Sequence, residues 1–149
     1  MTIHAKIIPG YGAASGKNKD NRYPNGTIAE QAAYFKALGL DLSPYFLGTL
    51  NIDISPYSFE LVKPKYFFEQ IDWSEFISPE NFYFFDVSLL YQTKTYKGLI
   101  YMPDPKTKEE HLQKTTTLEL ILPKIDGLVY GVDITVTIDP EQLKLKNLE

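Results

Sequence analysis

The residues best suited to chemistry stand in the run Gly48-Thr49-Leu50-Asn51-Ile52-Asp53-Ile54. Leu50, Ile52 and Ile54 alternate with Thr49, Asn51 and Asp53, the period-two pattern of a half-buried strand. A strand sets Thr49, Asn51 and Asp53 on one face, with successive members about 6.6 Å apart. A hydroxyl, an amide oxygen and a carboxylate are hard ligands, the kind Mg²⁺ takes beside substrate phosphates. The same pattern also describes an ordinary solvated strand face. Glu119 is the second candidate: it points away from Leu118 and Leu120 and has Thr115, Thr116 and Thr117 beside it. A carboxylate among hydroxyls can take the proton of an alcohol nucleophile or hold a ligand hydroxyl. Its plain alternative is an exposed strand glutamate.

A third candidate is the loop Pro9-Gly10-Tyr11-Gly12-Ala13-Ala14-Ser15-Gly16, which continues through Lys17, Lys19 and Arg22 to Gly26. Glycine backbone and adjacent cations can cradle a phosphate. The loop has neither the G-x-x-x-x-G-K-[ST] spacing nor a G-x-G-x-x-G run, so a surface loop is the competing reading. His111, within Lys108-Glu109-Glu110-His111, reads as part of a solvated turn.

Composition removes several classes of function. There is no cysteine, so thiol catalysis, disulfides and thiolate metal sites are excluded, and His4 and His111 are too few for a histidine-rich centre. The 19 acids against 15 bases leave a net charge of −4, which gives no bulk attraction for nucleic acid. No apolar run approaches the roughly 20 residues needed to span a bilayer. The first residues, MTIHAKIIPG, lack the basic and apolar regions of a signal peptide. A cytoplasmic location, with no membrane partner, is the expectation.

These residues need elements to position them. Residues 2–8 read as a strand. Thr27-Ile28-Ala29-Glu30 has the capping-box pattern, and Ile28, Ala32, Phe35 and Leu38 form an apolar helical face ended by Gly39. Period-two alternation recurs at residues 85–91, 118–122 and 134–138, with a hairpin turning near Lys94 and Thr95 into residues 96–101. Residues 63–81 are aromatic and bounded by prolines, with no clear period, and residues 140–149 read as a charged tail paired little with the core. Phe82, Phe84, Phe85, Tyr91 and Tyr101 are expected in the core rather than in a flavin-stacking box. With 44% hydrophobic and 23% charged residues, the 1–149 chain is expected to form one mainly β domain with one clear α-helix, a barrel or a sandwich.

The order of the segments resembles the archaeal-type CTP-dependent riboflavin kinases. Leu38-Gly39-Leu40 followed by Gly48-Thr49-Leu50-Asn51-Ile52 is similar to that family's helix, "LG" and "GTLN" signature. Pro103-Asp104-Pro105-Lys106-Thr107, Leu118-Glu119-Leu120-Ile121-Leu122-Pro123 and the stretch 127–138 look like its later segments. The resemblance spans roughly residues 3–138. It implies a cradle-loop (swapped-hairpin) six-stranded β-barrel that moves the γ-phosphoryl group of CTP to the 5′-hydroxyl of riboflavin. It also implies Mg²⁺ at Thr49 and Asn51, and the flavin held by Thr107 and Glu119. The nucleotide would lie on Ser15, Gly16, Lys17, Asn18, Lys19 and Asp20, and on a second segment beginning at Lys124. Where the family's nucleotide loop carries further glycines, this chain has Lys17-Asn18-Lys19-Asp20. That departure motivates two other expectations, a non-catalytic flavin- or nucleotide-binding module and an interaction protein on the same barrel.

Overall fold

The computed structural model describes residues 1–9, 23, 25–106 and 115–149. The expected site residues Ser15, Gly16, Lys17, Asn18, Lys19, Asp20 and Thr107, and also His111, lie outside the described residues. The elements run β1 (Thr2–Ile8), α1 (Thr27–Ala37), β2 (Leu50–Asp53), β3 (Tyr57–Leu61), β4 (Tyr66–Ile71), β5 (Glu80–Tyr91), β6 (Lys94–Pro103), β7 (Thr117–Ile121), β8 (Asp133–Ile138) and β9 (Leu143–Asn147).

Strands β5-β6-β7-β2-β1-β8 are hydrogen-bonded in that order, and β8 returns to β5, so six antiparallel strands close into a barrel. Closure leaves no free edge in that wall. Strand β5 is long enough to serve two partners along one edge. Its first half, from Glu80 to Phe84, pairs with β4, and Val87 to Leu90 pair with β8. At the fork the ladder has a gap at Asp86, whose N–H donates to the Gln142 side-chain oxygen at 2.8 Å. The Gln142 amide and the Lys65 ammonium each donate to the Asp86 carboxylate at 2.9 Å. A side chain thus supplies the acceptor that a continuous ladder would have given.

Alternation along the strands builds two cores. Phe85, Val87 and Leu89 of β5, Ile100 of β6, Leu118 and Leu120 of β7 and Ile52 of β2 fill the barrel interior. The opposite parity, Phe82, Phe84, Leu99, Tyr101 and Ile121, packs outward beneath α1 and β4. This explains why residues 82–85 are apolar without alternating, for each face of the strand is covered. Phe35 fastens α1 to the wall, its ring 5.1 Å from both Phe82 and Phe84 and 5.5 Å from Phe68.

Several expectations change. Helix α1 begins at Thr27 itself, Gly26 is the capping residue, and no side chain caps it, so the expected capping box is not formed. Gly39 does follow the helix with φ +106°, and its N–H bonds the Lys36 carbonyl. The β5–β6 hairpin turns at Gln92 and Thr93, two residues before the expected position. Residues 63–81 contain β4, whose period is hidden by a bulge between Phe68 and Ile71. The charged tail is the strand β9, paired with β3, and its Leu143 and Leu145 reach the barrel core. No helix among the described residues is long and apolar enough to cross a membrane.

Candidate functional site

Three neighbouring strands bring the candidate residues into one row on the outer face of the barrel. Asn51 of β2 lies directly opposite Glu119 of β7, which lies directly opposite Tyr101 of β6. The period of two that fills the interior with Leu50, Ile52, Leu118 and Leu120 also sends Asn51 and Glu119 the other way. On this barrel the outer face is not solvated, because the helix side of the wall is covered. Asn51 is 6% exposed and Glu119 9%. The expected alternative of a wet strand face therefore does not describe these two residues.

The polar atoms of the row are mostly committed. The Thr49 hydroxyl donates to Glu119 Oε1 at 3.2 Å. The Tyr101 hydroxyl donates to Gln31 Oε1 of α1 at 2.7 Å. Burial first, and then the carboxylates of Glu119 and Glu80, push the Tyr101 phenol well above its ordinary value, so it remains a neutral donor. Glu80, also buried, accepts from the Trp73 indole N–H at 2.8 Å. Asn51 is the exception, since its Oδ1 is buried with no hydrogen-bond partner. A buried carbonyl oxygen left unpaired costs about 1–3 kcal/mol, and an unmet acceptor beside a carboxylate is a place where a ligand atom or cation would be received.

Glu119 also lines a cavity of about 500 Å³ that opens where β6 ends and β7 begins. This is within the usual range for a small-molecule site, about 300–1,000 Å³. Its walls are Phe59 and Leu61 of β3, Tyr83 of β5, Tyr101, Met102 and Pro103 of β6, and Leu118. Polar groups come from Thr115, Thr117, Glu119, Asp104 and Lys106. The turn after β6 is fixed by Asp104, whose Oδ1 accepts the Lys106 N–H at 3.0 Å and whose Oδ2 accepts the Tyr83 hydroxyl at 3.4 Å. Burial, followed by the Asp104 charge, raises the Tyr83 phenol. Among the described residues, the cavity is thus an aromatic slot with two carboxylates, hydroxyls and one ammonium at its polar end.

The close approach of β6 and β7 that aligns Tyr101 with Glu119 depends on Gly98. A Cβ there would fall 2.2 Å from the Ile121 carbonyl oxygen.

The structure therefore unites Thr49, Asn51 and Glu119 and adds Tyr101 and Gln31. Asp53 shares the strand face as expected, but its Oδ1 accepts from both the Ser55 N–H and hydroxyl, at 2.9 and 2.7 Å, and so braces a turn. Lys124 is exposed in the connection after β7 and does not line the cavity. Gln31 had a legible signal: it is the polar member of the Ile28, Gln31, Phe35 stripe of α1. Tyr101 had none, since a tyrosine in an apolar strand reads as core. Among the described residues, no group of three or more His, Cys, Asp or Glu is placed to hold a metal. A cation here would rest on Asn and Thr oxygens together with oxygens of its ligand, the pattern suited to Mg²⁺.

The site belongs to a closed antiparallel barrel with a buried polar row, of which Glu119 and Tyr101 line an aromatic cavity. No protein-family model matches the chain, and no curated protein matches it.

Proposed function

We propose that the chain is a Mg²⁺-dependent phosphotransferase that moves the γ-phosphoryl group of a nucleoside triphosphate, CTP by the resemblance, to the 5′-hydroxyl of riboflavin or a similar alcohol. The observation that carries this reading is the orphaned Asn51 Oδ1, buried opposite a carboxylate that lines a ligand-sized aromatic cavity. The residues present suit the cation. Thr49 donates its hydroxyl hydrogen bond to Glu119 and keeps its oxygen lone pairs, and Asn51 offers an unused carbonyl oxygen. Mg²⁺, when bound, neutralises phosphate charge.

The chain's own groups have the remaining tasks. Phe59, Tyr83 and Met102 offer apolar surface to a flat ring and exclude water. Glu119 orients the acceptor hydroxyl and takes its proton as that oxygen bonds the γ-phosphorus, and the bond to the bridging oxygen breaks to release the nucleoside diphosphate. Thr49 holds that carboxylate from one side, while Tyr101, anchored to Gln31, closes the other with a group that stays protonated. By the resemblance, Ser15, Gly16, Lys17, Asn18, Lys19 and Asp20, with Lys124, meet the nucleotide, and Thr107 meets the flavin. The cradle-loop type of barrel and a cytoplasmic location belong to the same proposal.

The deciding experiment is thermal unfolding with and without Mg²⁺ in the presence of CTP, ATP, riboflavin or FMN, with flavin products separated by chromatography. A shift with CTP and Mg²⁺, and FMN formed by the wild type but not by Asn51→Leu, is the expected result. No shift with any of them refutes the proposal. The second reading is a binding module without turnover, favoured by the replacement of loop glycines with Lys17-Asn18-Lys19. Ligand-dependent stabilisation with no FMN formed would establish it instead.

A further inference from the structure

Among the described residues, the cavity's polar end holds one positive charge. Lys106 is the only cation lining it among the described residues, and no described residue pairs with its ammonium. The other charged side chains lining it among the described residues are Asp104 and Glu119. Asp104 is buried and turned toward its own loop, where its two oxygens hold the Lys106 N–H and the Tyr83 hydroxyl. Glu119 is held by Thr49. Both acids have local partners, and Lys106 stands on a turn whose backbone is pinned by one of them. A cation on a pinned turn, with no partner among the described residues and beside an aromatic slot, is suited to an anion carried by whatever fills the slot.

We propose that Lys106 is the anion-binding group of this cavity, so that the cavity takes the phosphomonoester form of its ligand in preference to the free alcohol. This rests on the flavin reading given above and adds to it the group that recognises the phosphate. Phosphate charge that arrives at the acceptor hydroxyl is met by Lys106, which offsets the repulsion from Glu119 and Asp104. An exposed ammonium–phosphate pair accounts for a preference of about three- to tenfold.

Riboflavin and FMN differ only by the phosphate, so their affinities measured side by side by fluorescence quenching isolate this contact. Wild-type protein is expected to bind FMN more tightly than riboflavin, with the preference shrinking as salt rises. Lys106→Met is expected to bring FMN to the riboflavin value while leaving riboflavin within about twofold, since an exposed rim charge adds little to an uncharged ligand. Lys106→Arg should retain the preference. Lys106 is exposed and its backbone bond to Asp104 does not involve its side chain, so these variants keep the turn. Equal affinities in the wild type, or a preference unchanged in Lys106→Met, would overturn the proposal while leaving the flavin reading in place. Binding of neither flavin would overturn both.

Discussion

Gly98→Ala tests how closely the wall of the site is built. The new Cβ would lie 2.2 Å from the Ile121 carbonyl oxygen, 2.8 Å from Leu122 Cδ2 and 3.2 Å from the Ile121 carbonyl carbon. A carbon seldom approaches a carbonyl oxygen closer than about 3.3 Å, so β6 and β7 must separate by roughly 1 Å. The Leu122 side chain can rotate away, but the carbonyl is backbone of the strand that carries Glu119. Overpacking of this kind costs about 1–3 kcal/mol, and an obstacle that cannot rotate places the substitution at the upper end. For a chain of this size, about 3 kcal/mol corresponds to a fall of roughly 6–12 °C in Tm. Thermal and urea unfolding followed by circular dichroism would measure it. Gly39→Ala is the control, because Gly39 has φ +106° and open space around its Cβ position. It should lose only the conformational term, about 1–2 kcal/mol. A Gly98→Ala protein within 2 °C or so of the wild type would refute the argument, as would recovery of stability on adding Leu122→Ala, which would make the side chain the obstacle.

Other substitutions separate packing from polar roles. Phe35→Ala removes a fully buried ring that joins α1 to Phe68, Phe82 and Phe84, and urea unfolding should report a loss of about 3–5 kcal/mol. Asn51→Leu should leave ligand-free stability unchanged or raised by up to about 1 kcal/mol, since it removes an acceptor that has no partner, while abolishing any Mg²⁺-dependent shift. A large loss of ligand-free stability would show that Asn51 is structural. Gln142→Ala leaves the Asp86 N–H without its acceptor and should cost about 1–2 kcal/mol in the same assay. For the Asp86 carboxyl, burial acts to raise the pKa, but the hydrogen bonds from Gln142 and Lys65 outweigh it and the net shift is downward. A carboxyl with a depressed folded pKa stabilises the fold above its unfolded value and loses that contribution as pH falls through the folded one. Asp86→Asn should therefore flatten the acid limb of the stability profile below about pH 4, and an unchanged acid limb would contradict the assignment.

The residues at positions 49–54 and 118–122 determined by themselves that two strands would each turn one apolar face inward and set Asn51 and Glu119 on the other, because side-chain direction alternates with a period of two. The helix at residues 27–37 and its glycine stop were similarly legible, since its apolar spacing and Gly39 act within a few residues. The closed barrel was open to a rival, because period-two strands serve a sandwich as well and closure rests on β8 returning to β5 across some 45 residues. Hidden strands had local causes: a bulge broke the pattern of β4, and the lysines of β9 alternate with leucines that only the barrel core explains. Pairing alone decided that Asn51, Glu119 and Tyr101 form one row, since register joins Asn51 to Glu119 and Glu119 to Tyr101 across strands far apart in the chain. At the Tyr101 end of that row burial came with α1, whose Gln31 meets the Tyr101 hydroxyl through a contact no local pattern encodes. The sequence supplied the types and the facing of these side chains; tertiary structure brought them together and removed the water that would otherwise have satisfied them.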